Sequence, residues 1–449
     1  MTTSETKNMR RFLFHNFRII FNLDGWIRRH FTKAGGLVLG GLVVAGVFGI
    51  DTRKTLAYQL FSLLLVLLLL AVISSWFFRV RLTARRELPQ FATVGETLHY
   101  QVQVQNHTQK LQRSLTLQEN VKSHSPSFET FLRAKEPRQG NWFDNYVGYP
   151  RWAWLMYIGK GAEIASLSLP PIPPTSIEFK MTLTPLRRGY VHFTSMTFAR
   201  PDPFGIFNAL YTVDLPDKLL VLPKHYPIGE FSLSGSRKYQ RGGVNLAMSV
   251  GDAEEFTSLR EYRPGDSLRL IHWKSWAKTG KPVVKEFQDE FFVRHALILD
   301  TFTDQTFGES FETAVSVAAS FANAKRSHEI LLDLMFVGTQ AYCFTSGRGL
   351  AHTDNLLEIL ACVEVCSSQP FSRLYPIVME HIASLSGCVC ILLNWDDSRQ
   401  HLVQLLKNAG ISLLVMVMSN AELEVDADKY PEVCVLPLDK ITEKLARLS

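Results

Sequence analysis

Cysteine is absent from the first 342 residues of this 449-residue sequence. The six cysteines after that point lie in or beside apolar runs, with neither a regular disulfide spacing nor a C-x-x-C ligand pair. This pattern argues against a disulfide-stapled fold and against a four-ligand zinc site. We therefore expect buried free thiols in a reducing compartment, with Cys388 and Cys390 as neighbours on one face of a strand.

The sequence also lacks the short motifs of several common catalytic chemistries. It contains no G-x-x-x-x-G-K-[ST] phosphate loop, no G-x-S-x-G nucleophile elbow and no H-E-x-x-H metal pair. The Gly242-Gly243 pair alone is too short to cradle a phosphate. We therefore predict that the protein is not an enzyme, and that any ATP hydrolysis in its system belongs to a partner.

Apolar residues make up 46% of the chain, enough for the cores of two or three globular units, and the net charge is a modest +6. The positive charge is concentrated at the amino terminus, where seven Lys and Arg residues face only Glu5 and Asp24 within residues 1–33. We predict a basic amphipathic segment there. It is either an interfacial helix on a membrane or a partly disordered basic tail.

Two stretches lack charge entirely, over 17 residues at 34–50 and 24 residues at 55–78. Both are long enough to cross a bilayer, and the short segment between them predicts a two-helix transmembrane hairpin over residues 34–79. Basic residues on both outer flanks place both termini in the cytoplasm and the chain in the inner (cytoplasmic) membrane. The glycine-rich first span offers a small-residue face to the second helix or to a second copy, as in a homo-oligomer.

Residues 88–225 alternate between polar and apolar positions, most clearly at 97–106, 114–117, 176–184 and 190–198. This period predicts an antiparallel β-sandwich with an immunoglobulin-like layout. An aromatic-rich insertion at 125–174 interrupts the pattern; it forms either an exposed partner or lipid surface or the core of a subdomain. Asp202, before Pro203, is interpreted as a turn or cap residue.

The densest stretch of the chain is the motif within residues 240–290. Between residues 251 and 290 it holds seven basic and eight acidic residues, so it lacks the basic excess that nucleic-acid binding requires, and no nucleic-acid partner is expected. Its cations either pair internally or dock onto an acidic partner surface. The candidate partner-binding residues are Arg260, Glu261, Arg263, Asp266, Arg269, His272, Trp273, Lys274, Lys278 and Lys285.

The motif reads G-D-x-x-E-F-x-S-L-R-E-Y-R-x-G-D-x-x-R-x-I-H-W-K-x-W-A-K-x-G-K-x-x-V-K-E-F and resembles the signature of the domain-of-unknown-function 58 family. Arg187-Arg188-Gly189-Tyr190 and Asp202-Pro203-Phe204-Gly205 resemble further family motifs. The resemblance implies a module beside a von Willebrand factor A-like domain in bacterial and archaeal membrane proteins. It also implies a partner, because the genes of such proteins commonly neighbour a MoxR-type AAA ATPase.

Residues 291–449 alternate between apolar strands and helices, which predicts a mainly parallel, doubly wound α/β sheet covered on both faces and von Willebrand factor A-like. The predicted strands are at 295–300, 330–337, 341–344, 388–394, 411–418 and 433–438.

Ligands of such folds bind at the carboxyl ends of the strands, which here points to Asp300. Adhesion-type von Willebrand factor A domains bind a divalent cation through an Asp-x-Ser-x-Ser loop, but this chain has Phe302 and Asp304 at the two serine positions. Asp300 and Asp304 stay candidate Mg²⁺ ligands. The alternative is a solvated acidic loop without a cofactor.

The favoured function is a membrane-anchored, non-enzymatic adaptor that presents the motif to a protein partner. One rival is a divalent-metal-dependent enzyme or sensor that uses the Asp300 loop and His272, since a histidine beside carboxylates can perform acid–base catalysis. For His272 the alternative is a structural hydrogen bond. A further rival is an envelope-facing structural protein, which requires the inverted topology.

Overall fold

Helices and several β-sheets make up the chain in this computed structural model, in agreement with the mixed α+β prediction. Apart from residues 305–308, two compact units form, one up to Lys224 (unit 1) and one from His225 onward (unit 2). The described residues are 3–49, 55–134, 147–229, 255–266, 268–288, 293–303, 308–324, 330–338, 340–346, 350–419 and 430–448.

Unit 1 begins with three helices, α1 (Thr3–His30), α2 (Lys33–Gly49) and α3 (Thr55–Trp76). The 21 residues Leu56–Trp76 of α3 are long and apolar enough to cross a membrane, whereas α2 is apolar but shorter. Residues 50–54, which include most of the predicted turn between the two spans, lie outside the described part of the chain.

Glycine lets α2 and α3 approach each other closely. A Cβ atom added to Gly41 would lie 3.4 Å from Leu64, and one added to Gly46 would lie 3.4 Å from Phe61. A Cβ atom added to Gly36 or to Gly40 would have no neighbouring atom within 4 Å. The predicted small-residue face is therefore partly used by α3, and the homo-oligomer stays a prediction.

Two sheets with one shared core come next in unit 1. Val102 and Met181 of one sheet and Phe193 and Leu219 of the other belong to a single buried cluster. The strands are β1 (Leu82–Glu87), β2 (Phe91–Thr93), β3 (Leu98–Asn106), β4 (Thr116–Val121), β5 (Ala162–Ile164), β6 (Leu167–Ser168), β7 (Ser176–Pro185), β8 (Gly189–Pro201) and β9 (Asn208–Leu222).

The sheet orders are β1-β3-β7-β5 and β2-β9-β8-β4-β6, and every pair is antiparallel except β2 with β9. Three of the four predicted runs are strands, the run at 114–117 overlaps only the first two residues of β4, and the region begins at Leu82 rather than at residue 88. The long strand β9 was not predicted, because Pro216 lies within it and proline weakens a strand assignment. The β8–β9 pairing shifts register at this point.

The insertion contains α4 (Phe128–Arg133) and α5 (Tyr149–Gly159). Phe131 and Trp152 are buried there against Phe17 of α1 in a separate apolar cluster. The subdomain alternative therefore holds for these two side chains, whereas Tyr149 and Tyr157 of the same insertion are 51% and 42% exposed. Trp142, Phe143 and Tyr146, which were part of the same prediction, lie outside the described residues.

Asp202 has the turn role predicted for it. Its buried carboxylate accepts hydrogen bonds from the backbone N–H groups of Phe204, Ile206 and Phe207, at 3.0, 2.6 and 2.7 Å. The loop meets the start of α2, where Thr32 N–H donates to the Ile206 carbonyl at 3.1 Å. Gly35 allows this approach, because an added Cβ would lie 2.0 Å from the Ile206 oxygen.

Unit 2 contains a small module and a six-stranded sheet. The module consists of β10 (Glu255–Glu261), α6 (Trp273–Thr279) and β11 (Val283–Gln288). The sheet strands are β12 (Val293–Leu299), β13 (Ile330–Val337), β14 (Ala341–Ser346), β15 (Gly387–Leu392), β16 (Ser412–Ser419) and β17 (Val433–Pro437). The helices between and after them are α7 (Glu309–Asn323), α8 (Leu350–Cys362), α9 (Leu374–His381), α10 (Asp397–Asn408) and α11 (Ile441–Ala446).

The strand order is β14-β13-β12-β15-β16-β17, and every pair is parallel except β13 with β14. All six predicted strands are present. Successive residues such as Leu297 and Ile298 are both fully buried, so both faces of the sheet are covered, as a continuous apolar run predicts.

All six cysteines are free thiols. Cys388 and Cys390 are buried on one face of β15 with their sulfur atoms 3.5 Å apart. The expectation of burial is wrong for Cys362, which is exposed near the end of α8. A cysteine spacing alone does not show which side of a helix faces the core.

Candidate functional site

The motif folds as a two-stranded antiparallel sheet whose connection carries α6. Arg260 of β10 is opposite Val284 of β11, and Ile271 forms an additional bridge to Val284. Ile271, Val283 and Val284 are buried and supply the apolar side of the module. The connection is tight because Gly280 ends α6 in the left-handed conformation, with φ of 71°.

Arg260 and Asp266 form a two-pronged ion pair across the turn after β10. The guanidinium donates to the two carboxylate oxygens at 2.7 and 2.8 Å, and the Arg263 backbone N–H donates to the same carboxylate at 2.8 Å. The Arg260 hydrogen bond is the main reason that the pKa of Asp266 falls to about 2. Gly265 permits this turn, since its φ is 107°.

Glu261 also pairs within the module. Its carboxylate accepts from Lys281 Nζ at 3.2 Å, and both side chains are 72% exposed. Ion pairs this exposed stabilise a fold by at most about 1 kcal/mol. Arg260, Glu261 and Asp266 therefore fit the internal-pairing alternative rather than the docking one.

A different set of candidates faces solvent on α6. Trp273 is 64% exposed and stacks on Trp276, with ring centroids 5.3 Å apart and planes 21° apart. Lys274 and Lys278, one helical turn apart, are exposed on the same helix, and neither has an ion-pair partner among the described residues. We call Trp273, Lys274 and Lys278 the α6 surface.

His272 occupies the position before α6. Its ring Nδ1 lies 2.6 Å from the Ser275 hydroxyl, and its backbone N–H donates to the Val283 carbonyl at 2.8 Å. The imidazole therefore has a hydroxyl partner within the same helical turn. This geometry fits the structural alternative for His272 better than acid–base catalysis with a carboxylate.

The remaining predicted partner-binding residues differ in their exposure to solvent. Arg263 is exposed and Lys285 is half-buried. The side chain of Arg269 lies outside the described part of the chain. Leu268, in the short helical turn before α6, is 67% exposed, although an apolar residue was not among the predicted partner-binding residues.

Asp300 is the second predicted site, and it lies at the end of β12 as expected. It is fully buried, and its carboxylate accepts from Arg399 Nε at 2.6 Å and from the N–H groups of Phe302 and Leu393 at 3.0 and 2.9 Å. Burial raises the pKa of the Asp300 carboxyl, while the Arg399 hydrogen bond opposes that rise.

Arg399, in the first turn of α10, is the residue of this predicted site that the sequence did not reveal. Besides Asp300 it contacts the carboxylate of Asp396, which also caps α10, and its guanidinium lies 4.6 Å from the centroid of the Phe371 ring. An arginine in a helix has no sequence signal that distinguishes a buried counter-ion from a solvated one.

The guanidinium of Arg399 supplies the positive charge that a cation would otherwise bring to Asp300. Asp304, the other predicted ligand, is outside the described residues. Within the parts of the chain that are described, no three His, Cys, Asp or Glu side chains cluster as a metal site. The donors around Asp300 thus fit an internal ion pair better than a Mg²⁺ site.

The module and part of the sheet after it match a known protein family. The family model described as "Protein of unknown function DUF58" matches residues 258–380. The "Uncharacterized protein YeaD" of Bacillus subtilis (strain 168) is 26% identical over 200 residues. These findings support a DUF58 assignment and confirm the resemblance seen in the motif.

That alignment covers 44% of this chain and 48% of the relative, so the chain spans about half the length of the curated relative that it matches. Among solved structures, a Salmonella alpha-2-macroglobulin mutant aligns with 32% of this chain and 8% of its own, at 14% identity and a TM-score of 0.17. A cohesin module from a Clostridium perfringens ATCC13124 family 33 glycoside hydrolase aligns with 32% of this chain and 98% of its own, at 9% identity and a TM-score of 0.15. Scores this low carry no fold assignment.

Proposed function

We propose that this protein is a membrane-anchored, non-enzymatic adaptor in the inner (cytoplasmic) membrane, which docks a protein partner on the α6 surface. In this proposal α2 and α3 form a transmembrane hairpin with both chain termini in the cytoplasm. The two sheets of unit 1 are an immunoglobulin-like sandwich, and the six-stranded sheet of unit 2 is von Willebrand factor A-like.

The single observation that carries the proposal is the exposed tryptophan beside two lysines without ion-pair partners among the described residues. Elsewhere in the module two pairs of charges bond to each other, Arg260–Asp266 and Glu261–Lys281. An exposed, pre-stacked indole is an apolar anchor that loses little conformational freedom on binding. Tryptophan and neighbouring cations together fit an acidic partner surface with an apolar pocket.

The family resemblance supplies the identity of the proposed partner, a MoxR-type AAA ATPase. The chain has no phosphate-binding loop of its own, so energy from ATP would enter through the partner. An adaptor that holds such an ATPase at the membrane would serve the assembly or remodelling of membrane or envelope complexes.

The test is co-purification of the tagged full chain from its own cells in mild detergent, with and without ATP. We expect Trp273→Ala with Lys274→Glu and Lys278→Glu to abolish nucleotide-dependent recovery of the ATPase. The matched control reverses two exposed lysines elsewhere, Lys110→Glu and Lys440→Glu, and should leave recovery unchanged.

Recovery of the ATPase by the α6 variant at the level of the unmodified chain would reject the α6 surface. Equal loss in the control variant would mean that overall charge, not this surface, governs the interaction. Failure to recover an ATPase with the unmodified chain would reject the proposed partner.

A further inference from the structure

Helix α1 has two apolar faces, and only one of them is covered. Leu13, Phe14, Phe17 and Phe21 pack on α4 and α5 of the insertion. Phe14 contacts Trp152 edge-on, with ring centroids 4.9 Å apart. The insertion thus fixes the rotation of α1 about its own axis.

The second face is exposed, from 67% for Phe12 to 51% for Trp26. At 3.6 residues per turn its members fall within about 120° of the helix circumference, away from the face that the insertion covers. We call this the α1 outer face; it comprises Phe12, Ile19, Ile20, Leu23 and Trp26.

A stripe of arginines lies on the polar arc of α1, about 60–80° around the helix from the edge of the outer face. Arg11, Arg18 and Arg29 are exposed and fall within about 20° of one line along the helix. None of the three has an ion-pair partner in the described part of the chain, whereas Arg28 pairs with Asp24 at 2.8 Å. Helix α1 therefore combines an exposed apolar face with uncompensated positive charge on its polar arc.

We propose that the α1 outer face lies in the headgroup boundary of an anionic bilayer, parallel to its surface, with the insertion behind it on the water side. An exposed apolar face with arginines on the polar arc of the same helix is the pattern of helices that bind in the interface plane. The arginines complement anionic headgroups, and the indole of Trp26 suits the interfacial region.

The position of α1 in the chain supports this occupant. Only residues 31 and 32 separate α1 from α2, and the membrane-length helix α3 comes next. A second copy is a poorer occupant, because it would cover the apolar face and leave the three arginines without an anionic partner. The inference rests on the membrane anchoring proposed above but not on the docking of a partner at α6.

The test places a photo-reactive benzophenone amino acid at Leu23, on the outer face, or at Asp24, which is exposed about 100° further around the helix, on the side that carries Leu13 and Phe17. The full chain is reconstituted into phosphatidylcholine bilayers with or without phosphatidylglycerol, irradiated, and searched for lipid adducts by mass spectrometry. Flotation of the same sample reports membrane anchoring separately.

We expect lipid adducts at Leu23 at several times the yield at Asp24, with a higher yield when phosphatidylglycerol is present. The triple change Arg11→Gln, Arg18→Gln and Arg29→Gln should remove the dependence on phosphatidylglycerol. Equal lipid adducts at both positions, or a crosslinked dimer through Leu23, would overturn the proposal even when the chain floats with the vesicles. Loss of flotation itself would overturn the anchoring.

Discussion

Two arginine–carboxylate pairs in unit 2 have similar distances and different surroundings. Arg399 and Asp300 meet at 2.6 Å with both side chains almost completely buried, whereas Arg260 and Asp266 meet at 2.7 Å in a turn that is partly open to water. Water screens the second pair and not the first. The same kind of ion pair is therefore part of the core in one place and stabilises a surface turn in the other.

Asp266 and Asp300 both lie within residues 258–380, which the family model matches, and the difference between their ion pairs bears on function. At Asp300, the buried pair bonds the predicted Mg²⁺ ligand to an arginine. At Asp266, the open pair holds the turn and leaves Lys274 and Lys278 of α6 available. The buried pair at Asp300 therefore fits a structural role, and the docking of a partner on the α6 surface stays a proposal.

Removal of the buried arginine should have the largest effect. Arg399→Ala leaves Asp300 buried without its counter-ion, which costs about 3–5 kcal/mol of the free energy of unfolding. The measurement is the denaturant midpoint of the full chain in detergent, followed by hydrogen exchange in β12 and β15.

The matched control changes both partners, Arg399→Met with Asp300→Leu. Replacement of a buried pair by apolar side chains of similar size removes the uncompensated charge, so most of the stability should return. If Arg399→Ala were harmless, or if Mg²⁺ raised the melting temperature of the unmodified chain but not that of Asp300→Asn, the interpretation of Asp300 as an ion-paired core residue would fail.

The second effect is smaller and depends on pH. The pKa of Asp266 falls from its ordinary value of 3.8 to about 2 in the folded chain. The ionised carboxylate therefore contributes stability in full above about pH 4, and this contribution is lost as the pH falls through 2. Asp266→Asn should lower the melting temperature at neutral pH and flatten its decline between pH 4 and pH 2.

The decline in that range has other contributors, so the control is Asp439→Asn, an exposed carboxylate in the same unit. It should behave like the unmodified chain over the whole range. An acid profile of Asp266→Asn identical to that of the unmodified chain would show that the Arg260 pair does not hold the turn.

The smallest effect is expected at the exposed pair. Lys281→Gln leaves Glu261 fully hydrated, so the free energy of unfolding should change by less than about 0.5 kcal/mol. Denaturant titration measures this directly. A change as large as that of Arg399→Ala would mean that the exposure of an ion pair does not determine how much it contributes to the free energy of unfolding.

Much of unit 2 could be predicted, because a parallel sheet buries both faces and its strands are continuous apolar runs. All six strands from β12 to β17 were found this way, and Asp300 was placed at a strand end. The partner of Asp300 could not be found, since Arg399 is 99 positions away and the chain offers no local signal for that contact.

Unit 1 was predicted less completely. Period-two alternation located β3 and β7, but β9 was missed because proline and acidic residues interrupt its pattern. The contact of α1 with the insertion joins Phe17 to Trp152, and only the folded chain reveals it. The alternatives for the insertion were therefore open in the sequence.

The sequence by itself determined the features that depend on local composition: the apolar helices, the basic amino-terminal segment, the alternation of strands and helices, and the family motif. The tertiary structure alone decided which charges are paired, which aromatic side chains are buried and which face of α1 is free. The physical reason is the separation along the chain over which each kind of interaction acts. Hydrophobic periodicity acts over a few residues, whereas the pairing of Arg399 with Asp300, or of Phe17 with Trp152, depends on elements brought together from distant parts of the chain.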